Sequence, residues 1–384
     1  MKIISLFLFF SLMTPPTYSW SPVVLQGVRK LDDKLSLSRS PFFDRYQFSL
    51  WGSIRARLYD PRTKKTYLSS RYLKNSVKAS FGIADAKHPE LYVYIPGIFN
   101  NVNEGQTSRA FVRMKKIAKN VLILPNPWGT DYLKARPTHK PGDVVREAES
   151  LYDLTLDFLA QQNLPENTKI RLFGASYGAF LATIYANVDR SLTKNLVDDK
   201  VYVFSPPLNM GQTIRNIDQL MWEDDFFNRR LSDKDMALAF LDYVFAKNER
   251  DLSVKSKILS TPLTVRVGFK EPFRESIDIY FRNHPDYKSN EKYFFRTYLE
   301  QLAPELKTLL DSEVADLDYW ISSGKEAYGL DIKVLSSQND FLNNYVYSGL
   351  YPEDHYWFFQ NGGHLGFIEL DEFVDFLKLT KTAQ

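Results

Sequence analysis

Between residues 91 and 204, short apolar runs alternate with segments of helical periodicity, and no other feature restricts the fold of this chain as much. LYVYI (91–95), NVLILP (120–125), KIRLF (169–173) and KVYVF (200–204) read as strands. Among them lie REAESLYDLTLDFLAQQ (146–162), with Leu151, Leu154 and Phe158 on one helical face, and the apolar stretch YGAFLATIYANV (177–188). Strands joined through helices at this spacing run parallel, because a right-handed βαβ crossover brings the chain back in the same direction. Their near-continuous apolar character fits strands covered on both faces. The fold expected is therefore α/β, a mostly parallel central sheet with helices on both sides.

The alternation stops after residue 206, and residues 207–330 read as mainly helical. In SDKDMALAFLDYVFAKN (232–248), Ser232 and Asp235 make a capping-box-like start, and Ala237, Phe240, Leu241, Val244 and Phe245 form an apolar stripe. Strand patterning resumes at DIKVLSS (331–337) and HYWFFQ (355–360), before a last helix at about 368–379. An insertion between two strands at one end of a sheet is expected to lie over that end. The expected organisation is thus a core of residues 20–206 and 331–384 interrupted by a helical cap of 207–330. Ahead of the core, residues 47–73 alternate as a β-hairpin, QFSLWGSIRARLY and TYLSSRYL, with Asp60-Pro61 at the turn.

The first nineteen residues, MKIISLFLFFSLMTPPTYS, have the layout of a secretory signal. Lys2 supplies the positive start, Ile3 to Met13 the apolar stretch, and Thr17 and Ser19 the small residues ahead of a cleavage site. The apolar stretch is short for a bilayer span. An exported protein, periplasmic or secreted, is expected, with mature residues starting near Trp20. The chain has no cysteine, so disulfides and lipid attachment at cysteine are excluded. A net charge of +3, with Lys and Arg interleaved among Asp and Glu, gives no footprint for nucleic acid. The 28 Phe and 23 Tyr are expected mainly in a large aromatic core, with a greasy substrate pocket as the alternative.

RLFGASYGAF (171–180) carries the chemistry. A G-x-S-x-G pattern is short enough to arise by accident, so its context decides. Here an apolar strand runs into Gly174 and a helix begins near Tyr177, the strand–turn–helix setting of a nucleophile elbow. The turn crowds the positions two residues either side of Ser176, hence Gly174 and Gly178. A serine hydroxyl needs a base. Of His88, His139, His284, His355 and His364, only His364 sits in a loop just after a sheet strand, in QNGGHLGF (360–367). Its glycines permit a tight return toward the sheet edge. The imidazole in turn needs a carboxylate. Asp340 follows strand 331–337 and precedes His364 by 24 residues, whereas Asp331 lies at the wrong end of that strand. Glu369 and Asp371 fall at the start of the last helix, where they serve its dipole. Oxyanion donors are expected at the backbone N–H of Tyr177 and in the loop after residues 91–95, YIPGIFNN, at Ile98 or alternatively Phe99, since Pro96 cannot donate. The bulky Tyr177 side chain is expected to lie against the site.

With Ser176, Asp340 and His364 in that order, residues 90–205 and 330–380 resemble the α/β-hydrolase superfamily, and GGHLGF is similar to the signature of its embryogenesis-associated, esterase-like branch. GASYG matches the elbow and PGIF the oxyanion loop. The chain departs from that branch at Pro96, where a histidine is usual, at Tyr177 and Ala179, and at NPWG (126–129), where an arginine-glycine pair is common. The resemblance implies an α/β-hydrolase fold and a serine hydrolase of carboxylic esters, working through an acyl-enzyme on a small-molecule or lipid-like ester. No cofactor and no metal are expected, because no phosphate-loop, dinucleotide or Cys/His metal spacing occurs. The alternatives are a non-catalytic binding protein on the same fold, or an acyltransferase or peptidase using the same three residues.

Overall fold

The computed structural model describes residues 20–37, 63–102, 105–227, 231–245, 251–282, 294–343 and 351–382. In chain order the elements begin with α1 (Pro22–Leu37), β1 (Lys64–Leu68), β2 (Val77–Ile83), β3 (Glu90–Ile95), α2 (Gly105–Met114), β4 (Asn120–Ile123), α3 (Thr130–Lys134), α4 (Val144–Gln162), β5 (Lys169–Ala175), α5 (Tyr177–Ser191) and β6 (Lys200–Phe204). Then come α6 (Met210–Phe227), α7 (Asp233–Phe245), α8 (Val254–Ile258), α9 (Ser260–Val265), α10 (Glu271–Phe281), α11 (Phe295–Gln301), α12 (Pro304–Leu310) and α13 (Leu317–Tyr328). The chain closes with β7 (Asp331–Ser337), β8 (Tyr356–Phe359) and α14 (Asp371–Thr382).

The eight strands form one sheet in the order β1-β2-β4-β3-β5-β6-β7-β8. β2 pairs antiparallel with β1 and β4, and every other pairing is parallel. This is the α/β-hydrolase fold. Consecutive residues of each strand face opposite sides, so two cores result. Leu91, Val93, Ile95, Leu172, Val201 and Val203 face the side covered by α4, α5 and α13. Tyr92, Tyr94, Phe173, Ala175, Tyr202 and Phe204 face the other, against α1, α2 and α14. On that second side Tyr92, Phe173 and Tyr202 stack across three neighbouring strands, with ring centroids 5.6 and 6.1 Å apart.

Helix α5 is buried at every position from Tyr177 to Asp189, enclosed by the sheet, α4 and α13. Its alanines, Ala179, Ala182 and Ala186, keep these approaches close. Helix α4 starts at Asp143, whose side chain accepts the Arg146 N–H, and ends at Asn163 in the left-handed conformation. Between β6 and β7 the described residues are helical, and α13 packs on α5 and β7 as a crossover helix does. Helix α9 runs through a π turn at Arg266–Lys270 into α10. Pro272 lies at the start of α10, where an uninterrupted helix would lose a hydrogen bond and crowd the carbonyl four residues back.

Four elements lie outside the sequence reading, the short α3 among them. Helix α1 buries Val24, Val28, Leu31 and Leu35 against α14. Helix α2 covers the same face of the sheet. Strand β2 pairs with β1, so TYLSSRYL contributes a strand whose partner among the described residues is Val77–Ile83. Residues 47–59 and the Asp60-Pro61 turn of the expected hairpin lie outside the described residues, as do residues 1–19.

Truncating the middle ring of the stacked trio should cost the fold heavily. Phe173→Ala is expected to lower unfolding free energy in urea by about 3–5 kcal/mol. A loss below about 1 kcal/mol would show that the neighbouring rings close the gap.

Candidate active site

Ser176 joins β5 to α5 with φ 54° and ψ −127°, a region that a side chain adopts only when its surroundings impose it. What imposes it is the close passage of three backbones. A Cβ on Gly174 would stand 2.3 Å from the carbonyl oxygen of Gly178, and one on Gly178 would stand 2.2 Å from that of Pro96. The Ser176 N–H donates to the Phe204 carbonyl on β6 at 2.8 Å, which fixes the turn to the neighbouring strand.

The hydroxyl so presented lies 2.8 Å from His364 Nε2, and His364 Nδ1 lies 2.9 Å from Asp340 Oδ2. A carboxylate can only accept, so Nδ1 carries the ring proton and Nε2 is left to accept from the serine. Asp340 Oδ1 accepts the Leu342 N–H at 2.9 Å, which orients the carboxylate. All three side chains are nearly out of solvent, with Ser176 4%, Asp340 1% and His364 9% exposed. Gly362 (φ 139°) and Gly363 (φ 55°) make the turn that returns His364 to the sheet edge. A Cβ on Gly362 would meet Ser337 Oγ at 2.5 Å. The Gly363 N–H donates to Asn339 Oδ1 at 2.8 Å, and the Phe341 ring packs on the imidazole at 5.6 Å.

The loop after β3 passes directly beside the serine. A Cβ on Gly97 would sit 3.2 Å from Ser176 Cβ. Asn100 N–H closes a four-residue turn on the Gly97 carbonyl at 3.3 Å, with Phe99 at φ 65°, the left-handed position that a type II turn requires at its third residue. Ile98 and Phe99 are therefore in the turn nearest Ser176. Tyr177 is the first residue of α5, and the leading N–H groups of a helix have no acceptor within it.

The Tyr177 side chain does not stand free beside the serine. Its phenol donates to Glu147 Oε2 in a short hydrogen bond. Glu147, on α4, is fully buried, and its Oε1 accepts the Gly142 N–H at 2.7 Å. Burial holds the Glu147 carboxyl at a pKa of about 8, against an ordinary 4.5, and its two hydrogen bonds only partly offset that. Glu147, Asn339 and Phe341 escaped the sequence reading. A glutamate inside a helical pattern reads as surface, and nothing local marks this one as facing inward.

The remaining histidines lie elsewhere. His88 pairs with Glu90, His355 contacts Lys325 and the Ile332 carbonyl, and His139 is buried beside the rings of Tyr72 and Tyr132. His284 is outside the described residues. Asp331 pairs with Lys333 at 2.8 Å at the opposite end of β7 from Asp340. Among the described residues, no cluster of three or more His, Asp or Glu side chains could hold a metal ion.

Helices α10, α11 and α12 pack over the loop of residues 128–141. Ser276 Oγ donates to the Trp128 carbonyl (2.8 Å), Tyr280 to that of His139 (3.0 Å) and Tyr298 to that of Pro141 (2.7 Å). Lys140 reaches the Leu302 carbonyl and Glu305, each at 2.7 Å. Phe99, Trp128, Phe273, Phe295 and Tyr298 form one aromatic cluster between these helices and the loop beside Ser176.

No family model and no curated relative matches this chain. Among solved structures it is similar to DcsB in complex with a substrate analogue, at 14% identity and a TM-score of 0.46 over 84% of this chain and 100% of that one. It is also similar to an esterase of Pyrococcus furiosus, at 14% identity and a TM-score of 0.45 over 84% and 90% of the two chains. A third is the naproxen esterase of Bacillus subtilis, at 11% identity and a TM-score of 0.44 over 88% and 97%. Likeness at this level says nothing about substrate.

The buried Glu147 carboxyl predicts a pH effect. Between about pH 4.5 and 8 the folded chain keeps a proton that the unfolded chain releases, so this group's contribution is complete below 4.5 and is lost as pH rises through 8. Glu147→Gln should therefore flatten the loss of stability between pH 5 and pH 8, on the order of a few kcal/mol, in urea titrations at the two pH values. Equal slopes in wild type and variant would refute it.

Proposed function

We propose that this chain is an exported serine hydrolase that cleaves carboxylic esters through an acyl-enzyme. The observation that carries the reading is the continuous serine–imidazole–carboxylate relay, with contacts of 2.8 and 2.9 Å, set on a strained strand-to-helix turn. Ser176 Oγ attacks the ester carbonyl while its proton passes to His364 Nε2, and the Asp340 carboxylate stabilises the imidazolium. The Tyr177 N–H and that of Ile98, or alternatively Phe99, hold the negative oxygen of the tetrahedral intermediate. Collapse expels the alcohol, which takes the proton from His364. Water, giving its proton to His364, then attacks the acyl-enzyme, and the acid leaves as Ser176 regains its proton.

The resemblance to the embryogenesis-associated, esterase-like branch is part of this proposal, as is the division into a core and a cap of residues 207–330. The aromatic cluster between α10, α11 and the loop beside Ser176 favours an apolar acyl or alcohol group. Export is supported by the N-terminal segment and by Trp20, which follows the expected cleavage site. Its indole is buried and donates to the Glu353 carbonyl at 2.9 Å.

A fluorophosphonate probe should label wild-type protein and fail to label Ser176→Ala. Asp340→Asn should lower kcat on a p-nitrophenyl ester by about 10³–10⁴-fold, because the amide stabilises the wrong imidazole tautomer. Undiminished labelling of the Ser176→Ala variant would sink the proposal.

A further inference from the structure

Of the positions at which this chain departs from the family it resembles, Tyr177 is hydrogen-bonded to the buried Glu147, and Trp128 and Pro96 are joined through Asn126. Glu147 accepts the Gly142 N–H through one oxygen and the Tyr177 phenol through the other. The Trp128 backbone N–H donates to Asn126 Oδ1 at 2.9 Å, and Asn126 Nδ2 donates to the Pro96 carbonyl at 2.8 Å. That carbonyl is the one packed against Gly178. The Glu147 contacts thus tie helix α4 to the Gly142 backbone and the start of α5, and the Asn126 contacts tie the 126–128 loop to the loop after β3.

We propose that Glu147 is a positioning residue for the oxyanion site, fixing the Tyr177 N–H by anchoring the far end of the Tyr177 side chain. The proposal deepens the serine hydrolase reading and rests on it. The plane of the peptide joining Ser176 to Tyr177 is set by Ser176 ψ and Tyr177 φ. Ser176 is held at φ 54°, and relaxing it to an ordinary conformation would swing that peptide and its N–H. Hydrogen bonds at the Ser176 end, from its N–H to Phe204 and from Ala179 to its carbonyl, oppose the swing on one side. On the other side the phenol is gripped by Glu147, itself tied to the Gly142 N–H. An apolar residue at position 147 would pack in the same place without desolvating a carboxyl, but it could not hold both a phenol and a backbone N–H. The grip also survives a change of protonation, because a carboxyl and a phenol can each donate or accept.

The test compares wild type, Glu147→Leu, Tyr177→Phe and the double variant. The readouts are kcat and KM on a p-nitrophenyl ester, the Kd of an alkyl boronic acid that forms a tetrahedral adduct with the serine, and thermal melting. Leu at position 147 can hold neither the phenol nor the Gly142 N–H, and Phe at position 177 lacks only the phenol oxygen. Each single variant should lower kcat by about 10–100-fold with KM within about twofold, and weaken the boronic acid by a similar factor. The double variant should be no worse than the poorer single one, since both remove the same link. Unchanged kcat, a loss confined to KM, or losses that multiply in the double variant would each overturn the positioning role. If Glu147→Leu does not fold, Tyr177→Phe decides alone on the same readouts. Wild type that the fluorophosphonate probe does not label overturns the hydrolase reading and the positioning role together. A labelled wild type beside fully active variants overturns the positioning role only.

Discussion

The site depends on a contact between backbones rather than between side chains. Strand β5, the start of α5 and the loop after β3 approach so closely that neither Gly174 nor Gly178 has room for a single methyl group. That crowding is what holds Ser176 at a positive φ, and Ser176 in turn directs its hydroxyl toward His364. The sheet serves this junction. Its parallel strands end on one side, so that the carboxyl ends of β3, β5 and β7 deliver the loop of Gly97, Ser176 and Asp340 to the same edge.

Around that junction the structure alternates rigid carbon-rich packing with a few committed polar contacts. On one face of the sheet, stacked rings of Tyr92, Phe173 and Tyr202 fill the space. On the other, α5 is enclosed and the polar exceptions are tied to specific partners, such as Glu147 to Tyr177 and Gly142, and Asp189 to Tyr152 and the Leu196 and Val197 N–H groups. A buried carboxyl with such partners constrains geometry more than it stabilises the fold.

Much of this was legible in the sequence, for a physical reason. Doubly covered strands such as KIRLF and KVYVF need continuous apolar residues, and the elbow needs glycines at fixed offsets, so both leave local marks. Asp340 and His364 could be found because each follows a recognisable strand, and the order of strands dictates which loops meet. What was not legible depends on contacts distant in sequence. The pairing of β1 with β2 joins two segments whose own patterns do not name their partner. Glu147 looks like any solvated helix position until α4 is docked on α5. The anchoring of the Tyr177 phenol follows from that docking alone, so the ring expected beside the serine is instead committed to the helix behind it.

The complete enclosure of α5 also bears on how such a chain can vary over time. From Tyr177 to Asp189 every side chain touches a neighbour that would have to change with it. Substitution in the helix behind Ser176 is therefore a matter of paired or tripled changes, which arise rarely and are easily lost. The helices between β6 and β7 carry many solvent-facing positions, among them Trp222, Phe226, Leu238 and Ile258. Inheritable novelty in this architecture has an open path through that segment and almost none through the helix that holds Ser176 in place.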